Sequence, residues 1–197
     1  MKNFSANRPC WYYRLLIRML LVVFGHVALG AEGLPKQTAQ VRSYTFYLEG
    51  TATPHAAESV ASALARLYDV IKVEELTATS GFANVTFDQA RVTHQEIAEA
   101  VAQAGPYRAS LRVEIPAYEN HATAISAIFA RVRDAATVAM TNSATKEFTV
   151  WFKPCRPGVK GFNLGDIGHP IVDPPPKGLG LTWRRVTAGR LSEAPKK

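Results

Sequence analysis

The chain has 197 residues, 47% hydrophobic and 20% charged, which is enough apolar material to bury a core and too much for a disordered chain. Two cysteines exclude a disulfide scaffold and a multi-thiolate metal cluster. The formal charge of +7 suggests a polyanion partner, but residues 1–30 hold four basic side chains and no acid; beyond them 19 basic residues face 16 acidic ones, a net +3 that lends nucleic-acid binding little support.

Residues 1–30 carry the pattern of an export signal. Lys2, Arg8, Arg14 and Arg18 make a basic n-region, Met19–Ala28 an apolar stretch, and Ala28-Leu29-Gly30 a small-residue exit. The alternative is an uncleaved anchor over residues 15–30. That run contains Arg18 and His26 and falls short of the about twenty apolar residues a spanning helix needs. Cleavage places the chain in the periplasm or outside the cell. Cys10 then leaves with the signal, and Cys155 is the remaining thiol. No later stretch is long and apolar enough to span a membrane, so no membrane span is expected after cleavage.

Residues 41–113 read as strand, helix, strand, strand, helix, strand. Tyr44, Phe46 and Leu48 alternate with Ser43, Thr45 and Tyr47, the period of a strand with one buried face. Gly50 ends it. Thr53 is placed to cap a helix with Pro54 at its first position, and Val60, Ala61, Leu64 and Leu67 form one stripe along that helix. Val70–Thr79 is strand-like, Ser80-Gly81 turns the chain, and Phe82–Phe87 returns as a hairpin partner. Thr93 and Glu96 have capping-box spacing. The helix they open puts Ile97, Val101 and Ala104 on one side and stops at Gly105. Tyr107–Ile115 is a strand.

A shift of 65 residues superposes residues 53–88 on 118–153 without a gap. Ala57, Ala65, Arg66, Asp69, Val73, Val85 and Phe87 meet identical residues, and Val60, Leu64 and Leu67 meet Ile125, Phe129 and Val132. The buried stripe is preserved, the mark of an internal duplication. The second block degrades after Phe152. Pro154–Gly158 reads as a loop, 162–171 as a short helix weakened by Gly and Pro, 173–176 as an extended linker, 181–186 as a last strand, and 188–197 as a flexible tail. The segment 107–115 is wanted both as the last strand of the first block and as the first strand of the second. The expected organisation is a signal over 1–30, a first unit over 41–113 and a divergent second unit over 114–187.

The order βαββαβ is that of a ferredoxin-like α+β sandwich, a four-stranded antiparallel sheet with two helices on one face. Gly50-Thr51-Ala52-Thr53-Pro54-His55-Ala56, then Ala63-Leu64 and Asp69-Val70, then Ala83-Asn84-Val85-Thr86-Phe87-Asp88, and finally Ala104-Gly105-Pro106-Tyr107 follow one family's pattern. In these stretches residues 44–105 resemble the heavy-metal-associated domain. This is the small fold of copper chaperones, periplasmic mercury-binding proteins and the N-terminal modules of metal-pumping ATPases. The resemblance reaches faintly into 118–153. It implies metal binding or metal handling, with a copper, zinc or mercury ion as cargo and a metal transporter or another protein as partner.

The departure falls at the chemistry. The family's Gly-Met-Thr-Cys-x-x-Cys turn grips a soft ion with two thiolates at a helix N-terminus. Here the two positions hold Thr53 and Ala56, and in the second block Tyr118 and His121. The replacement ligand candidates are His55 and His121, whose imidazoles suit Cu(II), Zn(II) or Ni(II). His94, beside the capping Thr93, is expected at the surface, and His169 sits in a Gly/Pro-rich stretch. Cys155, flanked by Lys153 and Arg156, is a candidate reactive thiol, with a half-buried loop cysteine as the alternative. No nucleophile elbow, phosphate loop or zinc-helix motif is present. The loop after the first strand lacks the Arg with which acylphosphatases of the same fold hold phosphate, so no enzyme is expected. Two functions follow: an exported metal-handling accessory with a degenerate site, or a non-metal protein–protein interaction module on the same fold.

Overall fold

The computed structural model describes residues 40–188. The expected signal over 1–30 and the tail beyond 188 lie outside the described residues. Seven strands and four helices follow in the order β1 (Val41–Glu49), α1 (Pro54–Ala65), β2 (Val70–Glu74), β3 (Phe82–Asp88), α2 (His94–Gln103), β4 (Arg108–Glu114), α3 (Tyr118–Arg131), β5 (Ala136–Asn142), β6 (Glu147–Phe152), α4 (Gly165–Val172) and β7 (Arg184–Arg185).

Local chemistry sets the helix starts. Thr53 takes an extended backbone and its side chain accepts the Ala56 N–H at 3.2 Å, with Pro54 where a missing N–H costs nothing. Thr93 and Glu96 complete their capping box: the Thr93 N–H donates to Glu96 Oε2 at 2.8 Å, and the Glu96 N–H to the Thr93 hydroxyl at 3.3 Å. α3 has no such cap and is kinked at His121, whose φ of −132° and ψ of 19° lie outside the helical region.

All strands form one antiparallel sheet in the order β2-β3-β1-β4-β6-β5, with β7 added to β4. β2-β3-β1-β4 is the ferredoxin-like order of the first unit. β5-β6-β4-β7 is the same order again, with β4 now serving as first strand. The strand with two claims on it is therefore shared. One edge of β4 pairs with β6 from Ser110 to Glu114. The other edge is divided, taking β1 at Arg108–Ser110 and β7 at Val113–Glu114. The 65-residue shift carries β1, α1, β2 and β3 onto β4, α3, β5 and β6, and both units are real in the fold.

The buried face of the sheet carries Tyr44, Phe46 and Leu48 of β1, Val85 and Phe87 of β3, Leu111 and Val113 of β4, and Phe148 and Val150 of β6. They join one hydrophobic cluster with Val60 and Leu64 of α1, Ile97 and Val101 of α2, Ile125 and Ile128 of α3, and Ile167 and Ile171 of α4. The opposite face is polar, and residues 186–188 cross part of it. Asn84 Nδ2 donates to the Ala188 carbonyl at 3.2 Å, and the Ala188 N–H to Thr45 Oγ1 at 3.3 Å.

Three sequence expectations are corrected. The strand after α1 stops at Glu74, because Glu75 takes a φ of 58° and Thr77 and Ser80 close a turn on each other's side chains. Residues 173–176 are no extended linker. The Pro174 carbonyl accepts the Lys177 N–H at 3.1 Å, and the Leu179, Gly180 and Leu181 N–H groups return to Pro170, Asp173 and Ile171. The last strand shrinks from 181–186 to two ladder residues.

Candidate metal centre

β1 ends in Gly50, whose φ is 86°. A Cβ there would stand 3.1 Å from the Pro106 carbonyl oxygen and 3.3 Å from Tyr107 Cδ1. Tyr107 also closes over Gly105, where a Cβ would meet its ring at 2.6 Å. The stretches shared with the heavy-metal-associated pattern thus do structural work: Leu64, Val85 and Phe87 are fully buried, and Tyr107 covers two glycines that must lack side chains.

The residues at the ligand positions do something else. The Thr53 hydroxyl is engaged as the α1 cap, and Ala56 is buried. His55 between them is exposed. It lines an open groove of about 580 Å³ between α1 and α2 together with Glu58, Arg66 and Gln103. One imidazole, a committed hydroxyl and a methyl group cannot supply the two soft donors that a linear Cu(I) or Hg(II) site needs.

In the second unit, Tyr118 opens α3 and its ring packs on Phe148 at 4.9 Å between centroids. His121 is exposed at the kink. The two turns are not brought together. Glu49 pairs with Arg108 at one end of β4, whereas α3 begins four residues past Glu114 at the other end. Six residues of strand separate these ends, roughly 20 Å, so His55 and His121 cannot share an ion. Among the described residues no group of three or more His, Cys, Asp and Glu side chains is placed to hold a metal.

Cys155 is half-buried, and its backbone N–H donates to Glu99 Oε2 at 3.0 Å on α2. That carboxylate offsets the cationic surroundings inferred from Lys153 and Arg156. His169 is exposed, with Nδ1 3.6 Å from Asp173 Oδ1.

His94 is the opposite of its expectation. It is fully buried beneath the sheet, edge-on to Tyr44 at 4.2 Å and to Phe87 at 5.1 Å between centroids. Its Nδ1 lies 2.9 Å from Asn163 Oδ1, and its Nε2 has no hydrogen-bond partner among the described residues. Burial pushes its pKa down to about 4, partly offset by the Asn163 bond and helped by the Arg185 charge. Gln95 beside it is equally engaged. Its N–H donates to the Phe162 carbonyl at 3.2 Å, its Oε1 accepts the Phe162 N–H at 2.8 Å, and its Nε2 donates to the Lys153 carbonyl at 2.8 Å. These partners lie 58 or more positions away. Only the polarity of His94-Gln95 ahead of an apolar helix was visible in the sequence, and it suggests solvent.

No protein-family model matches the chain, and no curated protein sequence does. Solved structures are similar in part. A candidate copper-ion-binding protein from Bacillus anthracis strain Ames is 24% identical over 36% of this chain and 99% of its own, with a TM-score of 0.34. The water-soluble region of the P-type ATPase CopA from Bacillus subtilis is 18% identical over 75% of this chain and 93% of its own, with a TM-score of 0.36. A ZiaAN mutant is 29% identical over 35% of this chain and 94% of its own, with a TM-score of 0.31. These scores are low, and the ferredoxin-like assignment stands on strand order and register instead.

Proposed function

We propose that the chain is an exported, non-enzymatic accessory of metal handling that has given up the soft-cation site of its fold and acts by protein–protein contact. The observation that carries this reading is the division at the first turn. The positions matching the heavy-metal-associated pattern are those that build the core, while the ligand positions hold Thr53 as a helix cap and Ala56 as a buried methyl. Export follows from the pattern of residues 1–30 and places the protein in the periplasm or outside the cell. The partner is a metal transporter or a protein working beside one, in keeping with the family the first unit resembles.

The test is titration of the purified chain with Cu(I), Hg(II), Cu(II) and Zn(II). No binding of the two soft ions tighter than to a scrambled control peptide supports the proposal. Tight binding of Cu(I) or Hg(II) that persists in Cys155→Ser overturns it. Binding of Cu(II) or Zn(II) that disappears in His55→Ala replaces protein contact with altered ligation as the function.

A further inference from the structure

The sheet has two outer edges, and they are treated differently. β2 at one edge is five residues long, is interrupted by a register shift between Val70 and Lys72, and carries Lys72 and Glu74, paired at 2.6 Å. Charge, shortness and irregularity are the usual guards against a further strand. β5 at the other edge is seven residues, Ala-Thr-Val-Ala-Met-Thr-Asn, with no charge, Gly or Pro. Its register with β6 is regular from Ala136 to Met140 and shifts only beyond.

The outward groups of β5 follow from the ladder. The Lys153 N–H donates to the Ala135 carbonyl at 2.8 Å, so Ala135 and Lys153 form a hydrogen-bonded pair. Hydrogen-bonded and non-bonded pairs alternate along an antiparallel ladder. Thr137 and Ala139 therefore point their backbone groups at β6, and Val138 and Met140 point theirs outward. Among the described residues no strand takes them up. Beside this edge runs an open groove of about 350 Å³ between α3 and β5. Phe129, Ala130 and Val138 make its apolar lining, and Arg133 and Lys153 stand at it with no acid among the lining residues. Lys153 Nζ donates to the Arg133 backbone carbonyl, which holds the Lys153 side chain at the Ala136 end. Arg133 and Lys153 are the charged residues lining the groove; the nearby acids are engaged elsewhere, Asp134 3.8 Å from Arg156 and Glu99 accepting the Cys155 N–H.

We propose that an extended, acidic segment of another protein adds to the sheet along β5. Its backbone pairs with Val138 and Met140, its alternate apolar side chains enter the groove over Phe129, and acidic residues at its end beside Ala136 meet Arg133 and Lys153. A second copy of this chain fits less well. In an antiparallel β5–β5 pairing the cations of one copy would face Met140–Asn142 of the other, which bear no acid. The inference rests on the reading of the protein as a contact module and names the chemistry of its partner; the metal titration above tests that reading separately, since it does not involve β5.

The test is fluorescence anisotropy of the purified chain with two short labelled peptides that share an alternating Val-Thr core and end at both termini in two Glu (the Glu peptide) or two Lys. The Glu peptide binds at least about tenfold more tightly, and added salt narrows the gap. Charge reversal by Arg133→Glu/Lys153→Glu exchanges the two preferences. Val138→Pro removes one outward N–H while leaving the β6 ladder intact, and binding of the Glu peptide is lost. Equal binding of the two peptides, no exchange on charge reversal, or a β5-dependent dimer in sedimentation without peptide binding overturns the proposal. If Val138→Pro fails to fold by circular dichroism, the charge-reversal exchange decides.

Discussion

His94 Nδ1 and Asn163 Oδ1 lie 2.9 Å apart across 69 positions of sequence, and the Asn163 oxygen also sits 3.3 Å from the His94 backbone nitrogen. An imidazole at the start of α2, in the first unit, is thereby tied to the connection that leads into α4, in the second. The ring is neutral where it sits, because Tyr44, Phe46 and Phe87 surround it and offer no group to stabilise a second proton.

Stability should therefore fall on acidification. The folded pKa of His94 is about 4 and the unfolded value is 6.5. The unfolded chain binds the extra proton first, so the contribution of neutral His94 is complete above about pH 6.5 and is lost progressively as pH falls toward about 4, roughly 3 kcal/mol over that window. Denaturant unfolding at a series of pH values checks this. A His94→Gln variant should be less stable at neutral pH and show a flatter profile through the same window. A wild-type profile flat between these values would contradict the burial of a neutral ring.

Gln95 closes four hydrogen bonds to the 153–162 segment, one of them from the Phe162 N–H. Gln95→Ala leaves the Phe162 N–H without that acceptor and should cost about 1–3 kcal/mol. Hydrogen exchange in the mutant should rise at 153–164 while β1 and β3 stay protected. Uniform loss of protection would mean that the segment does not dock as a separate element.

Gly50 and Gly81 both adopt positive φ, 86° and 64°, but only Gly50 has neighbours in the way of a side chain. Gly81→Ala carries the left-handed backbone cost alone, about 1–2 kcal/mol, whereas Gly50→Ala adds the displacement of Pro106 and Tyr107. Thermal melts should rank Gly50→Ala as the more damaging. Equal effects would remove the close approach of Tyr107 as a reason for glycine.

What the sequence revealed was local. The alternation of Tyr44, Phe46 and Leu48, the Thr53-Pro54 start and the Thr93/Glu96 box each act within a few residues, and each appears in the fold as read. The 65-residue repeat was legible because both copies must bury the same helix stripe. The role of β4 was not, since a strand's side-chain pattern describes its faces and says nothing of how its backbone edges are divided between β1, β6 and β7. The short helix read over 162–171 appears as Gly165–Val172, but residues 173–188 were read poorly for a related reason: they are held by carbonyls and amides of distant or reversed segments. That Thr53 and Ala56 stand where the resembled family carries its thiolates is read from the sequence alone. That His55 and His121 lie at opposite ends of the sheet required the register.

The Thr53 cap gives one further expectation. Thr53→Ala removes the acceptor of the Ala56 N–H and should cost about 1 kcal/mol, with Thr53→Ser recovering most of it. Urea unfolding checks the ranking. A neutral Thr53→Ala would mean that this hydroxyl is not committed to the helix and is free for another role.

The proposed loss of the cation turn is tested most directly by a chromophoric Cu(I) competition run on the unaltered chain and on Thr53→Cys/Ala56→Cys. The unaltered chain should leave the indicator's Cu(I) untouched, and the double variant should withdraw one equivalent, because the scaffold around the turn is intact and only the sulfur donors are missing. Withdrawal of Cu(I) by the unaltered chain, or none by the double variant, would contradict the account.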